Sequence, residues 1–330
     1  MNEGRITRRE LLAGAGVLAA GAAVGCTTVA KAEGEVAEAK SARKPVLTIA
    51  HITDIHVKPE GIAAEGMRAC LRHVHALNPR PDVIFNGGDA IMDSLGATAE
   101  RTQIQWDLWH KILAEECTLP IEHCIGNHDN WGWQKTKAKT KGDEPLYGVK
   151  WALKEFGLEK PYRSWDKAGW HFIVLNSCQE RGDEGYKPVL DEEQFAWLEA
   201  DLAAHPDQPI LILSHVPIIS GSIYFFAKDI VKDYQFNLIG ALMHQDVKRL
   251  KNLFYQHKNI KLCLSGHMHL RDRVDYNGIT YLGNGSVCGN WWSGEFGETP
   301  GGYGLVRLYE DGTWDNEYVL YPYPELPKKA

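Results

Sequence analysis

Short apolar runs recur along the chain from Val46 onward, separated by stretches whose apolar residues fall at helical spacing. Residues 46–52, 82–86 and 121–125 read as strands, and 67–77 and 98–115 between them read as helices. Such alternation predicts βαβ units and a mostly parallel sheet. A helix over 191–204, a strand over 209–213, a helix over 240–256 and a strand over 260–264 continue it. The rhythm then changes. Residues 271–276 and 279–282 flank Asn277-Gly278, a pair suited to a tight hairpin turn, and 303–309 and 314–320 repeat the arrangement around Asp311-Gly312. The pattern predicts an α/β fold of two packed sheets, one starting parallel and one ending antiparallel, with helices outside.

Where the polar groups fall in this pattern carries the chemistry. Five predicted strands each give way at the carboxyl end to a short island of oxygen and nitrogen donors: Asp54-Ile55-His56, Gly88-Asp89, Gly126-Asn127-His128-Asp129, Ser214-His215 and Gly266-His267-Met268-His269. In open α/β sheets ligands bind in the crevice beyond the carboxyl ends of the strands, so donors far apart in sequence would converge on one rim. Any single island is an ordinary polar turn or capped loop, whereas the whole series in order is a mixed nitrogen and oxygen donor set. Histidines outside the islands, such as His51, His73, His110 and His171, read as core or surface packing.

The series resembles that of the calcineurin-like metallophosphoesterases, over most of residues 46–284 and with every expected island present. The resemblance implies a four-layer α/β/β/α sandwich of two mixed sheets flanked by helices, holding two divalent transition metal ions, manganese, iron or zinc, for hydrolysis of phosphate mono- or diesters. Asp54, His56 and His269 would bind one ion, Asn127, His215 and His267 the other, and Asp89 would bridge them. By formal charge such a centre keeps about +1 after two carboxylates and a bridging hydroxide, which favours an anionic phosphate. That hydroxide would attack phosphorus in line. His128 is the candidate general acid for the departing oxygen, with an unperturbed pKa near 6.5, and Asp129 would orient its ring.

Within the family the pattern is most similar to the bacterial cyclic-nucleotide phosphodiesterase and phosphohydrolase group. It departs after Asn-His-Asp, where Asn130-Trp131-Gly132-Trp133 stands in place of the basic or acidic residue common in that group. Trp131, Trp133, Trp291 and Trp292 are candidates to stack a base or cover an acyl chain, with core packing the competing role. Asn284 and Asn290 are candidate donors to substrate oxygens, and residues 220–237 read as a lid or a buried insertion. An alternative of another class is a module that keeps its metals and binds a phosphoryl ligand without turnover. The intact donor set and His128 favour an enzyme.

Composition narrows the picture further. A net charge of -7 and a pI near 6.1 argue against a protein that grips nucleic acid through a basic surface. Arg5, Arg8 and Arg9 precede a weakly apolar stretch ending near Gly25, and Thr7-Arg8-Arg9-Glu10-Leu11-Leu12 resembles a twin-arginine export signal. The expected organisation is a signal peptide over 1–32, a flexible tether over 33–44 and one catalytic domain over 45–323. Two processing sites compete: Ala30-Lys31-Ala32 fits ordinary cleavage, and Ala23-Val24-Gly25-Cys26 resembles a lipoprotein box, making Cys26 a candidate lipid anchor. Partners are then a small phosphate ester and, during export, the twin-arginine translocation machinery, with a periplasmic or extracytoplasmic destination. The other cysteines lack metal-type spacing, Cys124 and Cys263 sit inside apolar runs, and a disulfide after export stays open.

Overall fold

The computed structural model describes residues 43–226, 231–232 and 234–326. The expected signal peptide, Cys26 and most of the tether lie outside the described residues. In chain order the first elements are β1 (Leu47–Ile52), α1 (Ala63–Ala76), β2 (Val83–Asn86), α2 (Ala99–Glu116), β3 (Ile121–His123), α3 (Lys135–Ala138) and α4 (Val149–Phe156). There follow β4 (Arg163–Lys167), β5 (Trp170–Leu175), β6 (Cys178–Glu180), β7 (Tyr186–Pro188), α5 (Glu192–Ala204), β8 (Ile210–Ser214), β9 (Val231–Lys232) and β10 (Gln235–Phe236). The last are α6 (Val247–Phe254), β11 (Ile260–Ser265), β12 (Arg271–Tyr276), β13 (Ile279–Asn284), β14 (Gly302–Leu308) and β15 (Trp314–Leu320).

Two mixed sheets form the centre. One has the order β15-β14-β1-β2-β3 and the other β12-β13-β11-β8-β5-β4. The first is parallel along β1-β2-β3 out to its β3 edge and antiparallel along β1-β14-β15, whereas the second is parallel along β13-β11-β8-β5 and antiparallel at both edges. The period of two along a strand explains how they stack. Leu47 and Ile49 of β1 face Phe172, Leu211 and Leu262 in a core between the sheets, while Ala50 and Ile52 face Met67, Trp106 and Trp109 of α1 and α2. In the second sheet Leu211 and Leu213 point inward, and Ile210 and Ile212 pack beneath Phe195, Leu198 and Leu250 of α5 and α6. The interior strands are apolar on both faces because both faces are covered. This is the expected layering of helix, sheet, sheet and helix.

Both sheets mix directions, with β14 and β15 joining the first and β12 and β4 edging the second. Two differences from the sequence pattern have local causes. The expected helix over 240–256 is confined to Val247–Phe254. The residues before it are held as turns: His244 Nδ1 lies 2.9 Å from Asp246 Oδ1, His244 Nε2 lies 3.2 Å from Ser214 Oγ, and the His244 amide donates to the Pro217 carbonyl. Strands β4 and β5 and helix α4 add to the expected elements, and the buried run Trp170–Leu175 of β5 carries no donor island. The six described cysteines, Cys70, Cys117, Cys124, Cys178, Cys263 and Cys288, are all free thiols.

Away from the strand tips, His171 of β5 is 1% exposed, with Nδ1 2.6 Å from Asp166 and Nε2 2.8 Å from Asp201. Burial lowers its pKa, but Asp201 and Asp166 raise it above the ordinary value overall, and the His171 imidazolium in turn lowers both carboxyls against their own burial. A raised histidine stabilises fully below its unfolded pKa of about 6.5 and loses that contribution as pH climbs through the folded value. The lowered aspartates stabilise above about 3.9 and lose it in acid. The deficit of a His171→Gln variant in Tm, about 2–4 °C for a loss of about 1 kcal/mol, is therefore expected to be largest between about pH 4 and 6.5 and to shrink toward pH 9. Thermal melts across that range check it, and a gap independent of pH would contradict a charged His171.

Candidate metal centre

Seven side chains singled out by the islands meet where both sheets present their carboxyl ends, and the backbone there is unusual. Asp54, His56, Asp89, His267 and His269 have φ of 53°, 48°, 54°, 68° and 56°. This left-handed region disfavours residues with a Cβ, at a cost of about 1–3 kcal/mol each, and clusters at functional sites. The sharp turns it produces are pinned loop to loop. The Asp54 amide donates to Gly88 O, that of His56 to Asp89 O, that of Gly266 to His215 O and that of Cys288 to Asp54 O. Two glycines make room. A Cβ on Gly126 would fall inside the Asp89 carboxylate, and one on Gly266 would collide with Thr53 and Asp54.

Within this frame the donor atoms converge on two neighbouring foci. His56 Nε2 lies 3.2 Å from His269 Nε2 and 3.9 Å from Asp54 Oδ1, and His269 Nε2 is 3.4 Å from the same oxygen. On the other side His215 Nε2 lies 3.0 Å from Asn127 Oδ1. Asp89 stands between: its Oδ2 is 3.6 Å from His56 Nε2 and 3.2 Å from His215 Nε2. His267 joins Asp89 and His215 in a group close enough to share an ion.

The outer nitrogens fix the tautomers. His215 Nδ1 donates to the Gly87 carbonyl at 2.8 Å, His269 Nδ1 to Gly289 O at 2.7 Å, and His56 Nδ1 faces Met92 O at 3.4 Å. A carbonyl only accepts, so each neutral ring keeps the Nε2 lone pair for the focus, the arrangement that metal-binding histidines use. His267 is reversed. Its Nε2 donates to Ala241 O at 3.0 Å, which leaves Nδ1 free. The donor set therefore fits two cations on chemistry as well as position.

Electrostatics points the same way. Asp54 and Asp89 are 0% and 1% exposed, and their ion-pair partners among the described residues are all imidazoles. Burial raises both carboxyls, but His269 and His215 draw Asp54 well below the usual range, and His215 and His128 do the same to Asp89. Asp54 also accepts from Thr53 Oγ1 at 2.6 Å and from the His267 amide at 3.0 Å. Burial alone lowers His215, yet Asp89 lifts it to about 9, whereas burial holds His56 at about 3 and His267 at about 4. Buried anions attract whatever positive charge reaches them, a proton or a metal ion.

The expected partnership of His128 is corrected. Asp129 does not touch that ring. It is fully buried and accepts from the backbone amides of Asp89, Ala90 and Gly126 at 2.9, 3.0 and 2.9 Å, tying two ligand loops together. Its adjacency to His128 in sequence conceals that successive residues of a tight turn point apart. Asp93 takes the orienting position, with Oδ1 3.2 Å from His128 Nδ1. The His128 side chain is 27% exposed, its amide donates to Asp89 Oδ1, and its ring meets His56 edge-on at 4.9 Å. Burial lowers the His128 pKa, but Asp89 and Asp93 raise it overall. Asp93, Thr53, Tyr186 and Cys288 carried no signal in the sequence. Tyr186 OH reaches His267 Nε2 at 3.3 Å, and the Cys288 thiol lies 3.7 Å from His269 Nδ1.

Of the candidate tryptophans, only Trp291 has its ring at the focus. Its ring, 36% exposed, is 4.5 Å from His269 and 6.2 Å from His56. Trp131 is core: it meets Trp151 edge-on and donates to Ala97 O, and Trp133 is buried too. Trp292 is a brace, donating from Nε1 to His56 O and stacking on Tyr323. The same loop is gripped by Tyr321 and Tyr323, whose hydroxyls donate to Val287 O and Cys288 O. Asn284 is corrected as well. It is 2% exposed, between His51 and Asn316, because it ends β13 facing the interior rather than the rim.

Residues 47–271 match the calcineurin-like phosphoesterase family, and the chain belongs to it. A 3',5'-cyclic-nucleotide phosphodiesterase of Nostoc sp. is 25% identical over 288 residues, 84% of this chain and 93% of that protein. The probable glycerophosphodiester phosphodiesterase GpdQ of Arcobacter nitrofigilis is 23% identical over 72% of this chain and 77% of its own length. A dimetal phosphatase from Danio rerio, solved as a crystal structure, shares the fold with a TM-score of 0.54 and 15% identity, covering 81% of this chain and 94% of that one. The protein is thus a metal-dependent phosphoric ester hydrolase.

Two substitutions separate the aspartates around His128. Asp129→Asn deprives buried amides of an acceptor and is expected to cost about 1–3 kcal/mol of stability with most activity, whereas Asp93→Asn leaves Tm nearly unchanged and lowers kcat. Melting curves beside turnover distinguish them, and equal melting losses would sink the assignment. Gly126→Ala, which displaces Asp89, is expected to lower kcat by about 10²-fold.

Proposed function

We propose that the protein hydrolyses phosphate diesters at a centre of two divalent ions. The observation that carries this reading is a pair of fully buried carboxylates, Asp54 and Asp89, whose ion-pair partners among the described residues are all imidazoles. In this reading Asp54, His56 and His269 hold one ion, Asn127, His215 and His267 the other, and Asp89 lies between. Manganese, iron and zinc all suit such donors. Two ions held there would lower the pKa of a coordinated water and offset the charge that builds on the phosphoryl oxygens. The chain itself supplies positioning and a proton. As water oxygen bonds to phosphorus, the ester P–O bond opposite breaks, and His128, turned by Asp93, passes its proton to the departing oxygen. The names of the Nostoc and Arcobacter relatives, both phosphodiesterases, favour diesters over monoesters.

Metal content and a paired assay test this. Gently purified protein should carry about two transition metal ions per chain, lose activity in chelator and regain it with manganese. Bis-p-nitrophenyl phosphate should turn over faster than p-nitrophenyl phosphate. The opposite order would make the enzyme a phosphatase, and neither reaction in metal-replete protein would defeat the reading. His128→Ala should depress alkyl diesters by about 10²–10⁴-fold and aryl diesters far less, and equal losses would remove its acid role.

We also propose that the chain leaves the cytoplasm folded through twin-arginine translocation, supported by Arg8-Arg9 and the apolar stretch after them. Its substrates would then be extracytoplasmic esters, and Cys26 a site of lipid attachment. Fractionation of cells expressing Arg8→Lys/Arg9→Lys protein is expected to find it retained in the cytoplasm. Equal export of that variant would end the proposal.

A further inference from the structure

An apolar path leads away from the metal centre along its open side. The His269 ring is 4.5 Å from Trp291 and 6.0 Å from Phe296, Trp291 and Phe296 meet at 5.7 Å, and Phe296 meets Phe226 at 5.8 Å. Phe225, Phe226, Leu270 and Phe296, with Gly297 and Glu298, line a cleft of about 490 Å³ at the end of this row. That volume lies in the ordinary range of small-molecule sites, about 300–1,000 Å³. Leu270 is buried, but the aromatic residues are not core. Phe225 is 80% exposed and Trp291 36%, while Phe226 and Phe296 are half-buried, so a continuous apolar wall stays open to water beside a polar focus. Such surface is uncommon on a soluble protein unless something covers it.

We propose that this cleft is a binding subsite for the acyl or alkyl chain of an amphiphilic phosphodiester whose phosphate sits at the metal centre. The inference rests on the hydrolase reading above. Two features favour a chain over a nucleobase. Among the described residues the cleft walls offer one polar side chain, the carboxylate Glu298, where a base needs several donors and acceptors for its edge. The outer mouth at Phe225 is open, which lets a flexible chain run on where a compact ring would leave apolar wall uncovered. His269, which links the row to the centre through Trp291, makes wall and focus one continuous site.

The test is a homologous series of p-nitrophenyl alkyl phosphates, methyl through octyl, below their micelle concentrations and with manganese-loaded enzyme. Burial of each added methylene is expected to raise kcat/KM by about two- to fourfold until the cleft is filled, so octyl exceeds methyl by at least tenfold. Phe226→Ser should reduce that octyl-to-methyl ratio severalfold. Calorimetry with methyl- and octylphosphonic acid supplies a readout that needs no turnover. Hydrolysis of the whole series at equal rates, or faster hydrolysis of a p-nitrophenyl nucleotide ester than of the octyl ester, overturns the subsite while leaving the hydrolase reading standing. Absence of turnover with tighter octylphosphonate binding keeps the subsite and removes the hydrolase, and equal or absent binding of both acids overturns the subsite.

Discussion

Two carboxylates taken wholly out of water dominate this molecule. Stripping an ion of solvent costs several kcal/mol even after the surroundings relax, and a lysine or arginine partner is the usual remedy. Asp54 and Asp89 have imidazoles instead, groups that are neutral unless something protonates them. The pocket is consequently built around a charge deficit. Left-handed ligand residues, glycines pressed against carboxylates and hydrogen bonds between loops are what hold that deficit in place.

The site also straddles the two sheets. Asp54, Asp89 and Asn127 follow β1, β2 and β3 of one, and His215 and the pair His267 and His269 follow β8 and β11 of the other. Neither sheet owns a full set of donors. The apolar core between them, with Leu47, Ile49, Phe172, Leu211 and Leu262, therefore sets the spacing of the ligands as well as the stability of the fold. Low compressibility of packed interiors is what makes such spacing reproducible.

Much of this was legible in the chain because it rests on periodicity. Apolar runs that end in donors marked β1, β2, β3, β8 and β11, and Asn277-Gly278 marked the hairpin of β12 and β13. The seven side chains drawn from the islands converge in the structure, where Thr53, Asp93, Tyr186 and Cys288 stand beside them without having been marked. What escaped was set by contacts remote in sequence or by the pointing of side chains within a turn. Asp129 and His128 are neighbours whose side chains diverge, Asp93 reaches His128 across a loop, and Trp131 and Trp292 are large apolar residues whose burial no local pattern decides. The start of α6 depended on a side-chain lock, His244 with Asp246 and Ser214, that replaces helix with turn.

The segment after β15 has a role out of proportion to its position. Tyr321 and Tyr323 hold the carbonyls of Val287 and Cys288, and Tyr323 lies against Trp292, whose indole nitrogen in turn grips His56 O. A handful of residues beyond the last strand thus act as a clasp on the loop that backs one half of the centre. Trimming by a protease there, or a bulky fusion just downstream, would loosen a ligand more than two hundred and fifty positions earlier in the chain.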